Sequence, residues 1–306
     1  MSLVFLNDMN ISLKQLRLFV AVVQAGNLAE AAERLFITKA AASMSLQELE
    51  KQLDCRLFDR VRNRLQLNTQ GAQLLPLADE LLQRLDTIEH LFQRSDRASG
   101  VLRIGASHTI GNYLLPRLLA DFLQNHPDVD FKIEISNTRT LVGQLADFRL
   151  DMALLEGNSS DSNLCLQEWM PDSMQVVAAP NHPLAQAGRL SMADLEQQRW
   201  LLREPGSGSR EQFQRLIGSH LQSWQAGLEL NTTESILNAV AAGLGLCLLS
   251  GLASTAAVQD GRVVVLDLQP GIQRPLRLAW HKEKYLHPVL AEFIEFCHHW
   301  SPRGGQ

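Results

Sequence analysis

Residues 28–71 read LAEAAERLFITKAAASMSLQELEKQLDCRLFDRVRNRLQLNTQG, and they restrict the fold more than any other stretch. Apolar positions recur twice at helical spacing, with only Phe36-Ile37 between the two runs, and an arginine-dense turn follows. Two short helices at a tight connection, then a hairpin, make a helix-turn-helix with a wing, a shape suited to reading DNA. A helix precedes it. Leu13, Leu16, Phe19, Val20 and Val23 share one face from Ser12, its N-cap, to roughly Gln24, and Gly26-Asn27 ends the run. The second helix is Leu28 to Leu35. Thr38 caps the third, which runs to about Leu53 with Leu46, Leu49 and Leu53 inward. Thr38, Lys39, Ser43 and Ser45 lie on its early outer positions, small or flexible polar groups able to enter a major groove. A plain three-helix packing unit with a solvated charged turn satisfies the same spacing.

The net charge of −5 argues against nucleic acid until it is divided along the chain. Residues 1–97 carry 12 Lys+Arg against 12 Asp+Glu, so the acidic excess lies wholly in the remainder. Within the neutral part, Arg56, Arg60, Arg62 and Arg64 face only Asp59. Phosphates need such a local patch, not a basic protein overall. The expected hairpin, Arg60–Leu67, carries Arg62-Asn63-Arg64 at its tip.

From Gln73, Leu74, Ala78, Leu81, Leu85, Ile88 and Phe92 alternate by four and three, a coiled-coil seam. A helix of about 20 residues is about 30 Å long and needs a partner for such a stripe. Its place between two units favours dimerisation. Ser95 to Gly100 reads as a domain boundary, and strand and helix alternate beyond it. Strands are expected at 101–107, 131–136, 152–156, 174–180, 199–204, 228–231, 246–250, 263–268 and 275–280. Helices fall at 113–124, 140–148, 211–222, 235–243 and 288–300. That alternation predicts a parallel sheet with ligands at its carboxyl ends. The apolar run 237–258 is interrupted by Asn238, Gly243, Gly245, Ser250 and Gly251, which fits a buried helix and core strand and not a membrane span.

Catalytic and metal chemistry find little support. Ser107 and His108 have no GxSxG elbow around them and no third orienting group. Adjacent Cys297-His298-His299 on one helix point in different directions. The four cysteines, Cys55, Cys165, Cys247 and Cys297, show no metal spacing and are expected as free thiols in a reducing cytoplasm. Residues 1–10 lack the basic and apolar regions of an export signal. No enzyme activity, cofactor or metal is expected.

Leu13 to Gly71 resembles the winged helix-turn-helix of LysR-type transcriptional regulators. The resemblance rests on LKQLRLFVAVVQAGNLAEAAERL, the Thr-x-x-Ala-x-Ser helix start (Thr38, Ala41, Ser43), LEKQLDCRLFDR and NTQG. Farther along, HTIGNYLLP, SNTRTLV, DFRLDMALLEG and LREPGSGSRE look like the branch holding Calvin-cycle operon regulators and regulators responding to sulfite or sulfate. Lys39 stands where many members have Gln, and Ala40-Ala41-Ala42 replaces the commoner Pro/Ser-Ala-Val/Leu, so the reading helix is poor in bidentate side chains.

The resemblance implies a winged helix-turn-helix at 1–72, a linker helix at 73–97 and a two-lobed α/β effector domain at 98–306 of the type II periplasmic-binding-protein kind. One Rossmann-like lobe would span about 98–165 plus 266–300, the other about 166–265. It further implies a bacterial cytoplasmic regulator, paired through the linker and assembled as a homotetramer on double-stranded promoter DNA, with RNA polymerase as a further candidate partner and no membrane. DNA contacts fall to Thr38, Lys39, Ala41, Ser43, Arg60, Arg62 and Arg64.

The effector would lie between the lobes, where residue chemistry also points. Ser107, His108 and Thr109 open a helix after the first strand, Asn137 and Thr138 do so after the second, and Gly206, Ser207, Gly208, Ser209 and Arg210 precede a helix of the other lobe. Hydroxyls and free N–H groups at such ends suit a small anion. Glu156 opposes one, unless it pairs with Arg203 or Arg210 or the ligand also carries a positive group. A small-molecule binder acting through protein contacts is the alternative reading.

Overall fold

The computed structural model describes residues 11–61, 64–91, 100–157, 159 and 161–302. The chain begins with α1 (Leu13–Ala25), α2 (Leu28–Arg34) and α3 (Lys39–Gln52), then the hairpin β1 (Phe58–Val61) and β2 (Arg64–Leu67), then α4 (Thr69–Leu91). Local chemistry sets each start. The Ser12 hydroxyl accepts the Gln15 N–H while the Gln15 side chain accepts the Ser12 N–H at 2.7 Å, a reciprocal cap. Asn27 and Thr38 accept from the N–H groups of Glu30 and Ala41. Gly26 ends α1 at φ 70°, a left-handed conformation that glycine adopts without strain. Ala31, Ala32 and Ala42 are buried, so the three helices approach closely around Phe19 and Leu49.

α4 starts four residues before Gln73 because the Asn68 side chain caps it, accepting the Gly71 N–H at 2.9 Å. The expected seam also turns. Ala78 is buried and Leu74 packs on the head's own core, whereas Leu77, Leu81 and Ile88 stand exposed. Phe92 and 95–99 lie outside the described residues.

The remaining strands are β3 (Gly100–Ala106), β4 (Val129–Ile135), β5 (Met152–Glu156), β6 (Leu164–Ala178), β7 (Arg189–Leu190), β8 (Arg199–Arg203), β9 (Gln225–Leu230), β10 (Cys247–Ser250), β11 (Val264–Val265), β12 (Asp267–Leu268) and β13 (Ile272–His281). Among them lie α5 (His108–Tyr113), α6 (Leu115–Leu123), α7 (Thr138–Ala146), α8 (Gly208–Phe213), α9 (Thr233–Ala241), α10 (Gly251–Gln259) and α11 (Pro288–His299). The helix expected at 113–124 is two helices meeting at Leu114, with Pro116 in the first turn of the second, where its missing N–H costs nothing.

The main sheet runs β10-β6-β13-β5-β3-β4, with β11 also on β6. It is mixed, not parallel. β3 pairs in parallel with β4 and β5, but β13 is antiparallel to both β5 and β6. β6 and β13 are long strands that run from one lobe into the other. Leu276 and Leu278 enter the core under α5, α6 and α11, while Met174 and Val176 enter a second core with Trp200 and Phe213. Between these ends Pro171 faces Pro275 on one rung. The cuts expected near 165 and 266 lie six and nine residues before that rung.

The N-terminal helical head docks on the first lobe. Phe148 belongs to the head's apolar core, and its carbonyl accepts from Gln24 at 3.3 Å. Beside it, Lys284 bridges Asp79 of α4 (2.6 Å) and Asp151 (2.8 Å), and Arg103 closes the group on Asp151.

Candidate functional site

The second helix pair presents α3 outward. Thr38, Lys39 and Ala41 are exposed and Ser43 is half-buried, with Arg60 exposed on β1. Arg64 opens β2; Arg62 lies outside the described residues, as does Asn63. Met44, absent from the expected contacts, is 71% exposed on the same helix.

In the effector domain, three expected elements meet where the lobes face each other. Ser107 precedes α5, Asn137 caps α7 through the Thr140 N–H, and the Gly206–Arg210 segment from the other lobe closes on both. The Arg139 N–H donates to the Gly206 carbonyl at 3.2 Å, and the Thr138 hydroxyl donates to the Glu156 carbonyl at 3.4 Å. Asn137 also reaches Glu204. Gly208 has no room for a side chain: a Cβ there would lie 2.5 Å from the Glu156 carbonyl oxygen. Glycine is required for this approach.

At the centre stands an ion cluster that the sequence reading assigned differently. Glu156 pairs with neither Arg203 nor Arg210. Arg274 takes it, with Nη1 2.7 Å from Glu156 Oε2 and Nε 2.7 Å from Asp172 Oδ2. All three are buried. Asp172 also accepts from Ser250, and Arg274 Nη2 reaches the Thr109 hydroxyl at 3.3 Å. A buried guanidinium is costly unless its donors are answered, and two carboxylates answer them here. Arg203 instead pairs with Glu204, and Arg210 with Glu229 and the Arg203 carbonyl.

The Glu156 carboxylate has a further role. It accepts the Thr109 N–H at the start of α5 (2.7 Å) and the Ser209 hydroxyl of the facing lobe (3.2 Å). Burial alone would raise its pKa, but Arg274 and the Thr109 N–H overcome that and hold it at about 2. Burial, reinforced by Arg203, pushes half-buried His108 below the usual imidazole value. The Ser107 hydroxyl is buried without a hydrogen-bond partner. Arg274, Asp172 and Ser250 had been missed. The available signal was the period of two in β13, which puts Arg274 on the face of Leu276 and Leu278.

No cluster able to hold a metal occurs among the described residues. Cys297 is buried, while His298 and His299 are exposed on separate partners. Burial pushes the Cys247 and Cys297 thiols up. Among the described residues no helix is long and apolar enough to cross a membrane.

Residues 13–72 match the bacterial regulatory helix-turn-helix protein model of the lysR family, and 95–302 match the LysR substrate binding domain. The chain is 36% identical to the HTH-type transcriptional regulator YeiE of Escherichia coli over 94% of its own length and 98% of the relative's. It is 30% identical to the RuBisCO operon transcriptional regulator of Allochromatium vinosum, over 94% and 96%. The CcmR regulatory domain of Synechocystis, in complex with 2-PG, superposes with a TM-score of 0.61 at 25% identity, covering 65% of this chain and 96% of that one. A winged reading head, a linker helix and a two-lobed effector domain in one chain, matched along its length by named regulators, place it in the LysR family: this is a DNA-binding transcriptional regulator and not an enzyme.

Proposed function

We propose that the regulator responds to a small anion bound between its lobes, at Ser107, His108 and Thr109, Asn137 and Thr138, and Arg203, Gly206, Ser207, Ser209 and Arg210. One observation carries the reading: a carboxylate, that of Glu156, already bridges the Thr109 N–H of one lobe and the Ser209 hydroxyl of the other. That carboxylate occupies both donors, so a ligand's oxygens would take the neighbouring ones, among them the Ser107 hydroxyl, which is buried without a hydrogen-bond partner. The salt bridge from Arg274 offsets the Glu156 charge, so a positive group on the ligand has no special partner there. The 2-PG complex of the CcmR domain supports a small-molecule site in this fold.

In this reading two cytoplasmic chains pair along the exposed stripe of α4, and pairs assemble into a tetramer. Two α3 helices enter successive major grooves. Thr38, Lys39, Ala41 and Ser43 face the bases, Arg60, Arg62 and Arg64 hold phosphate, and RNA polymerase is met at the promoter. The anion shifts operator affinity or bending through unequal affinity for the two lobe arrangements.

The test is a thermal-shift screen of the full chain against inorganic anions, carboxylates, sugar phosphates and amino acids. At 100 times its dissociation constant a ligand adds about 2.7 kcal/mol. Support is an anion whose shift disappears in Thr109→Ala combined with Ser209→Ala. An unchanged shift in that variant removes the cleft assignment.

A further inference from the structure

On α3 the buried residues Ala42, Leu46 and Leu49 fix the inward face. At 3.6 residues per turn, Ala40, Met44, Gln47 and Lys51 form the row diametrically opposite, and all four are exposed. This row is apolar where the helix begins. Ala40 has only a methyl group. Met44 is a long thioether left 71% in solvent. Beside them Ala41 is also exposed, and the Thr38 hydroxyl is engaged as the cap of the helix. Lys51 ends the row with a positive charge, and Lys39 adds another at the start of the helix.

The apolar start of this row cannot read a purine by paired hydrogen bonds, since neither Ala40 nor Met44 offers a donor, and Gln47 lies a turn farther along the helix. The base edge it complements is that of thymine, whose C5-methyl is the apolar group in the major groove. Methionine, unbranched and polarizable, adapts its shape to such a contact. We propose that Met44, assisted by Ala40, recognises thymine by burying its C5-methyl group, so that specificity at that base pair rests on methyl contact while Lys51, at the far end of the row, holds phosphate. This rests on the reading that α3 enters the major groove.

The test uses the full chain and a duplex selected by it from a random-sequence pool. Each thymine is replaced singly by uracil, which keeps every hydrogen-bonding group and removes only the methyl. The wild-type chain is expected to bind about fourfold more weakly at one or two positions in each half-site, the worth of one buried methyl. Met44→Ala should lose the same factor on the thymine duplex and become indifferent to uracil at those positions. Met44→Leu should keep the thymine preference. Met44 is exposed, so unchanged salt-dependent binding to an unselected duplex checks that Met44→Ala is folded. The proposal is overturned if no uracil weakens the wild type, or if Met44→Ala retains the full thymine preference. Dimethyl sulfate protection of guanine N7 separates the two failures. Protection without a uracil effect defeats methyl reading alone, and absence of protection defeats the groove placement on which it rests.

Discussion

Lys284 Nζ stands 2.6 Å from Asp79 Oδ2, joining the turn after β13 to the linker helix across 205 residues of chain. Both side chains are buried, and the same ammonium reaches Asp151, which Arg103 also holds. Burial would raise the Asp151 pKa, yet Lys284 and Arg103 hold it well below the usual carboxylate range. The linker is thus fastened to the effector domain by ions that water does not screen.

Lys284→Met should release this fastening. Removing one partner leaves buried carboxylates uncompensated, at a cost of about 3–5 kcal/mol. The expected result is a lower melting temperature with faster proteolytic separation of the head from the effector domain. Wild-type proteolysis and melting in the variant would show that the ion group does not hold the two parts together.

Arg274→Met should destabilise by a similar amount, since Glu156 and Asp172 lose their common counter-ion. Adding Glu156→Gln to that variant should recover part of the loss. Urea unfolding of both singles and the double gives the coupling. Strict additivity would deny that the pair acts as a unit.

Acid should weaken the protein in two stages. His281 and His287 have lowered pKa values from burial, so the unfolded chain binds protons first as pH falls below the unperturbed 6.5. Glu156 then contributes in the opposite charge sense. Its stabilisation is complete above its unfolded value of 4.5 and is lost as pH falls toward about 2. Urea midpoints from pH 8 to pH 3 should decline in both ranges, and Glu156→Gln should flatten the lower one. An unaltered lower slope in that variant would assign the acid loss elsewhere.

Gly208→Ala should wedge the lobes apart. Its new Cβ would meet the Glu156 carbonyl oxygen and Cβ, and the backbone cannot move aside as a flexible side chain would. Overpacking of this kind costs about 1–3 kcal/mol. Anion binding by calorimetry should weaken while DNA affinity without ligand persists. Normal anion affinity would mean that closure at Gly208 is not needed.

Leu81→Glu should separate the chains. Leu77, Leu81 and Ile88 form an exposed apolar stripe on α4 that a charge would spoil, at little cost to the lone subunit. Sedimentation should show smaller species and gel shift a weaker complex. Unaltered mass would remove the α4 stripe from the pairing surface.

The reading head was legible because its signals are local. Ser12, Asn27 and Thr38 cap the next residues in sequence, and the apolar faces repeat within a single helix. The strand 164–173 was not legible: polar positions and Pro171 argue against a strand, and only its pairing with Pro275 about a hundred residues later makes sense of them. The same distance hid the partner of Glu156. Periodicity placed Glu156 at a strand end, but Arg274 reaches it only because β13 turns antiparallel between β5 and β6. The α4 stripe was half legible, since a seam shows that a face is apolar without saying whether the partner is the chain's own head or a second copy.

The claim that joins these parts is that closure of the cleft by an anion is felt at the DNA. The decisive measurement is fluorescence anisotropy of the full chain on a duplex it selects, titrated with the anion found by the thermal screen. The wild type should change its apparent affinity or its salt dependence as the anion saturates, and the chain carrying both Thr109→Ala and Ser209→Ala should bind the same duplex without responding. A full response in that double variant, with operator affinity intact, would contradict the account.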